Sequence, residues 1–219
     1  MRELILVTGM VLEATPVNDY DRRTVILTKE IGKVSAFCRG ARRPGNKMLA
    51  VTNPFSFGTF KLYEGKSAYN LVDADITHYF EELRSDFEGA YLGMYFLEYA
   101  EYCTRENNDD TEMLKLLFQS VRAIIKPSID NRLVRAVYEI KTIVVNGEYP
   151  GLPKDKEYLP GTIRAVAHIV DSQIEHLYTF KVSEEVLKEL LELGVFYRKR
   201  YTDREFKSLD MVENCMLKL

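Results

Sequence analysis

RTVILTKEIGKVSAFCR, residues 23–39, decides the fold. Two short runs rich in apolar and β-branched residues, Arg23–Thr28 and Lys33–Arg39, are split by KEIG at 29–32. Gly32 suits the positive φ of a tight turn, so the pair predicts a β-hairpin. Working outward, Leu4–Leu12 is a mostly apolar run with β-branched members. Phe57–Tyr63 alternates aromatic with small or polar residues, EGKS at 64–67 is another turn, and Ser67–Ala74 is a fifth strand candidate. Five short strands with tight turns in about 75 residues predict a small barrel. Gly40–Asn53 holds Gly, Pro and Asn with weak periodicity and reads as a long loop between the third and fourth strands.

From about Phe80 the period changes. Phe87, Tyr91, Met94, Tyr95, Glu98 and Tyr102 recur every three to four residues and predict one face of a helix. ENNDD at 106–110 breaks the chain, and Asp110 or Thr111 can cap the next helix. Leu114, Leu117, Phe118, Val121 and Ile125 form its stripe, and Pro127 ends it. A third helix is expected from about Ile129 to Val145, with Gly147 as its left-handed stop. Pro160 opens a fourth, through Asp171. Ser183 caps a fifth that reaches about Tyr201, and a short last helix starts near Phe206. The fold class expected is therefore α+β in two domains, a five-stranded barrel at 1–78 and an all-helical domain at 79–219.

Composition bounds the function. The 219 residues carry a net charge of −3 and are 46% hydrophobic, enough for a real core. No apolar run approaches the roughly 20 residues of a membrane span. The start, MRELILVTGMVLEAT, has one arginine and no small-residue cleavage site, so it reads as a strand and cytoplasm is the expected compartment. Cys38, Cys103 and Cys215 form no CxxC pair and are read as reduced structural thiols. The charge is uneven. Residues 1–75 hold 11 basic and 8 acidic side chains, the remainder 19 and 25. Between Arg22 and Lys47 eight basic residues meet one acid, Glu30. A basic head on an acidic body points to an anionic partner for the head.

Enzyme motifs are missing. Gly40 and Gly45 have the spacing of a phosphate loop, but Asn46 stands where its lysine must follow. No GxSxG or HExxH occurs, and His168 and His176 read as surface or core histidines rather than ligands. The stretch CRGARRPGNKM, residues 38–48, is the better lead. Arginine grips phosphate through a planar, always-charged fork, and glycine lets backbone approach a ligand. Arg39, Arg42 and Arg43 repel one another without a counter-charge, so phosphate contact is expected there, with Lys29 and Lys33 flanking the hairpin. Phe37, Phe55, Phe57, Tyr63 and Tyr69 are nearby rings that could stack on bases, although most phenylalanines in so small a barrel fill its interior. A second basic stretch, YRKRYTDREF at 197–206, reads as the solvated end of a helix or as a dock for an acidic peptide tail.

These residues resemble a known family. The early Gly9, Val11 and Leu12, the pattern Y-DR-V-LT-E-GK-S-A-RGARR, then PFS-G-F-LY-G and FEELRSD, are similar to the N-terminal half of the bacterial DNA repair family RecO. The likeness covers roughly the first 100 residues; beyond Tyr102 only the helical layout is similar. It implies an OB-fold barrel followed by a helical domain. It implies a non-enzymatic, nucleoid-associated mediator that binds single- and double-stranded DNA and anneals complementary strands. With RecR such proteins help load RecA onto DNA coated by single-strand binding protein. The family's basic barrel surface falls here on Arg22, Arg23, Arg39, Arg42, Arg43 and Lys47, and Lys33 beside the hairpin joins them as an expected DNA contact. Many members carry a four-cysteine zinc module after the third helix. This chain has VVNGEYPGLPKDKEYLPG there, so no zinc and no cofactor are expected. The alternative reading is a protein-interaction adaptor whose basic loop serves solubility. Only a DNA binder predicts steep salt dependence toward oligonucleotides.

Overall fold

The structure, a computed structural model, describes residues 3–216, with side chains through 213. The structural role expected of Cys215 lies outside the described side chains. The strands are β1 (Leu4–Val17), β2 (Asp21–Thr28), β3 (Gly32–Cys38), β4 (Phe57–Tyr63) and β5 (Tyr69–His78). They close into a barrel in the order β1-β2-β3-β5-β4. All pairs are antiparallel except β3 with β5, which meet only at Ala36–Tyr69 and Phe37–Asn70.

β1 runs past the expected Leu12 because it pairs twice. Leu4–Met10 lies on β4, Gly9–Val17 lies on β2, and the register shifts between Val11 and Glu13. Such a bulge bends the strand and lets one strand serve two neighbours. Gly9 and Gly58 face each other in this crossing, and a Cβ on Gly58 would lie 2.1 Å from the Asp75 carbonyl oxygen. The interior is filled by Val7, Val11, Ile26, Val34, Phe60, Leu62 and Leu71.

One short element was absent from the sequence expectation. Residues Met48–Val51 form a single helical turn, α1, inside the Gly40–Asn53 loop. The Asn46 side chain accepts from Met48 N at 2.9 Å and starts it, and Met48 and Val51 point into the barrel core. One turn is too short to leave a periodic signal.

The helices that follow are α2 (Phe87–Cys103), α3 (Thr111–Ile124), α4 (Asn131–Val145), α5 (Pro160–Asp171), α6 (Glu184–Tyr201) and α7 (Lys207–Met216). Asp130 caps α4, accepting from Arg132 N at 2.8 Å. The face expected for α2 is corrected. Phe87 is 78% exposed and Met94 is also exposed, while Leu92, Tyr95, Phe96, Tyr99 and Ala100 are buried. A helix apolar on nearly every side offers no single stripe to read. No described helix is long and apolar enough to cross a membrane.

The described residues form two compact units, 3–85 with 97–114, and 86–96 with 115–216, so α2 supplies residues to each. In the first, the segment after α2 lies on the β2–β3 hairpin. Lys33 N donates to Arg105 O at 3.0 Å and Asn107 N to Ile31 O at 3.1 Å. Gly32 is needed twice there: its φ is +67°, and a Cβ would lie 2.5 Å from Arg105 O. In the second, Glu139 on α4 is fully buried. Its Oε1 accepts from Tyr95 Oη at 2.7 Å and from Arg135 Nε at 3.2 Å, and Arg198 Nε stands 3.4 Å away as an ion pair without hydrogen-bond geometry.

Two substitutions test this packing. Gly32→Ala should cost about 2 kcal/mol or more from strain and clash combined, seen as a lower urea midpoint. Glu139→Ala should cost about 3–5 kcal/mol, because it strands the buried Arg198 guanidinium, leaves Arg135 with Glu213 alone and removes the acceptor of Tyr95 Oη. A thermal melt unchanged by Glu139→Ala would refute the ion-pair account.

Candidate nucleic-acid interface

The loop after β3 is fixed by a small residue between large ones. Ala41 is fully buried in the barrel core, while Arg39, Arg42 and Arg43 are exposed around it. Gly40, at φ +65°, turns the chain, and its amide donates to Asp21 Oδ1 at 2.8 Å. Arg42 N donates to Tyr20 O at 2.8 Å, which ties the loop to the β1–β2 turn. The three arginines are thus presented by a braced loop.

The seven residues expected to touch DNA fall into three groups. Arg39, Arg42 and Arg43 meet no carboxylate among the described residues. Arg39 makes no side-chain hydrogen bond or ion pair among those residues. Arg42 Nη1 reaches only the carbonyl oxygens of Asn18 and Asp19, both at 3.3 Å. The Arg43 guanidinium lies 5.7 Å from the Tyr20 ring centroid. Arg23 is exposed on β2 and donates to Ser35 Oγ at 2.7 Å.

Arg22 faces the other way. Its Nη1 donates to Leu49 O, Thr52 Oγ1 and Asn53 Oδ1 at 3.2, 3.0 and 2.9 Å, closing the end of α1. Burial, with the nearby charge of Arg42, lowers its pKa. Lys33 and Lys47 are paired. Lys33 Nζ donates to Glu101 O at 2.6 Å and to Glu101 Oε1 at 2.8 Å. Lys47 Nζ and Lys61 Nζ share Asp73, at 2.8 and 3.1 Å. Those two hydrogen bonds hold the Asp73 carboxyl down to about 2.

Tyr20 was not among the residues expected at the interface. It is 51% exposed beneath Arg43. An aromatic at the tip of a polar turn, between Asp19 and Asp21, is the sequence signal for such a ring. Among the described residues no cluster of three or more His, Cys, Asp or Glu could hold a metal. The basic stretch at 197–206 divides. Tyr197 and Arg198 are buried, with Tyr197 Oη donating to Gly151 O at 2.9 Å, while Lys199 and Arg200 face solvent.

Asp73 offers a test of the surface charge. Asp73→Asn releases Lys47 and Lys61 and should steepen the log–log salt slope of oligonucleotide binding by about one. In the unchanged protein the depressed carboxyl contributes stability above the unfolded value near 4, and that contribution fades as pH falls through about 2. A carboxyl resonance of Asp73 titrating near 4 would contradict the paired geometry.

Comparison with known proteins accounts for the barrel. Residues 1–80 match the family described as "Recombination protein O N terminal". A DNA repair protein RecO of Acetivibrio thermocellus is 25% identical over 238 residues, covering 94% of this chain and 95% of that protein. One from Alkaliphilus metalliredigens is 31% identical over 149 residues, 68% of this chain and 61% of the relative. One from Symbiobacterium thermophilum is 32% identical over 146 residues, 67% and 58% respectively. The chain is a relative of the bacterial DNA repair proteins RecO, and its first 80 residues are a RecO N-terminal OB-fold domain.

Proposed function

We propose that this protein binds DNA backbones through the Arg39–Arg43 loop and acts without catalysis in recombinational repair. One observation carries the reading: three arginines on a braced, acid-free loop of a RecO-type barrel have no carboxylate partner among the described residues. Close guanidinium groups repel one another unless an anion sits among them. Phosphodiesters supply that anion at regular spacing, and releasing their condensed counterions drives binding. Arg23 extends the positive face along β2.

Backbone contact fits an annealing role. A protein that pairs any two complementary strands must leave bases legible to each other and screen the phosphates between them. Arginines on an outer loop do this without sequence preference. On this reading the protein binds single- and double-stranded DNA and anneals complementary strands. With RecR it helps RecA replace single-strand binding protein. The partners come from the likeness to RecO, and the charge geometry speaks only to the DNA.

Replacing Arg39, Arg42 and Arg43 together by alanine should weaken binding to a single-stranded oligonucleotide about tenfold or more at low salt. The log–log salt slope should fall by about two, near 0.7 per lost phosphate contact. The same variant should slow annealing of complementary oligonucleotides coated with single-strand binding protein. Unchanged affinity and slope would exclude the loop and favour a protein-docking adaptor.

A further inference from the structure

We propose that the groove where β3 and β5 part takes one unstacked nucleobase of single-stranded DNA. This rests on the DNA-binding reading above and names what the same face does with a base. β3 and β5 pair at only two positions before β3 ends at Cys38. The opening left beside that short pairing is a groove of about 730 Å³, lined in part by Phe37, Arg39, Met48, Tyr63, Asn70 and Val72. That volume lies within the roughly 300–1,000 Å³ of small-ligand sites.

The strand register makes the groove more than a gap. Arg23 pairs with Phe37 across β2 and β3, Phe37 with Asn70 across β3 and β5, and Asn70 with Tyr63 across β5 and β4. Directly paired residues share a face, so a cation, a ring, an amide and a second ring follow one another across four strands. Phe37 and Tyr63 are each partly exposed, and Val72 is 46% exposed. The Asn70 side chain makes no hydrogen bond among the described residues. Its amide offers both donors and an acceptor, so it can meet the edge of any base.

These features match one kind of ligand. A nucleobase has a flat π-face for the rings and a polar edge for the amide. The phosphate of the same nucleotide supplies the counter-charge for exposed Arg39 and Arg23. Base–aromatic stacking is strong and tolerant of sequence. Bases inside a duplex are stacked on each other and cannot enter, so the groove favours single strands. Cys38 lies in the groove wall but is buried, and burial pushes its thiol up to about 11, which makes it a poor nucleophile.

The experiment compares two fluorescent oligonucleotides of equal length and charge at low salt, one of thymidines and one abasic. The full chain should bind the base-bearing strand about tenfold more tightly. Phe37→Leu keeps the apolar volume but removes the π-face. It should close most of that gap, leaving the salt slope and the melting temperature unchanged. Asn70→Ala should narrow the gap further. Equal affinity of the unaltered protein for both strands, with a steep salt slope, would overturn the base site and leave backbone binding intact. A gap that persists in Phe37→Leu and Asn70→Ala would overturn it too, by placing the base elsewhere. Failure to bind either strand would sink the DNA-binding reading and this inference with it.

Discussion

The double pairing of β1 is the constraint on which the barrel depends. One strand hydrogen-bonds β4 with its first half and β2 with its second, and the bulge between Val11 and Glu13 turns it from one to the other. Closure removes the open edges a five-stranded sheet would otherwise present. It also fills the interior with Val7, Ile26, Phe60 and Leu62, which leaves the outer wall and the loops for ligands. The weakest join in the ring, two residue pairs between β3 and β5, is where the outer wall opens.

Charge is sorted by the same geometry. Arginines close in sequence do different work according to which way their strand or loop faces. Arg22 points toward α1 and satisfies three acceptors there, whereas its neighbour Arg23 stays on the outer face. Ala41 in the core pins the loop, so Arg39, Arg42 and Arg43 must project outward. Lys33 and Lys47 lie close to these arginines in sequence but find acids, Glu101 and Asp73, from distant parts of the same unit.

Much of this was legible in the residues. The β2–β3 hairpin, the bounds of β4 and the span Pro160–Asp171 of α5 follow from local pattern, because turn glycines, alternation and an N-terminal proline act within a few residues. The buried face of α2 was not legible, since apolar residues surround that helix. The second half of β1 is not legible because Glu13–Val17 contains Pro16, which disfavours a strand, and becomes one only by pairing with Asp21–Val25. The acid-free arginine cluster was visible as composition, but its division into engaged and unengaged members was not.

The sequence by itself determined a small β-barrel, a run of amphipathic helices and a local excess of cations, because hydrophobic period, turn chemistry and charge density are properties of neighbours in the chain. Only the tertiary structure decided which cations remain without an acid and which rings stand beside them. Asp73 lies 26 residues from Lys47 and Glu101 lies 68 from Lys33, and Phe37, Asn70 and Tyr63 become neighbours only when three strands align. Ion pairing and stacking depend on distance in space, which the chain acquires when the barrel closes.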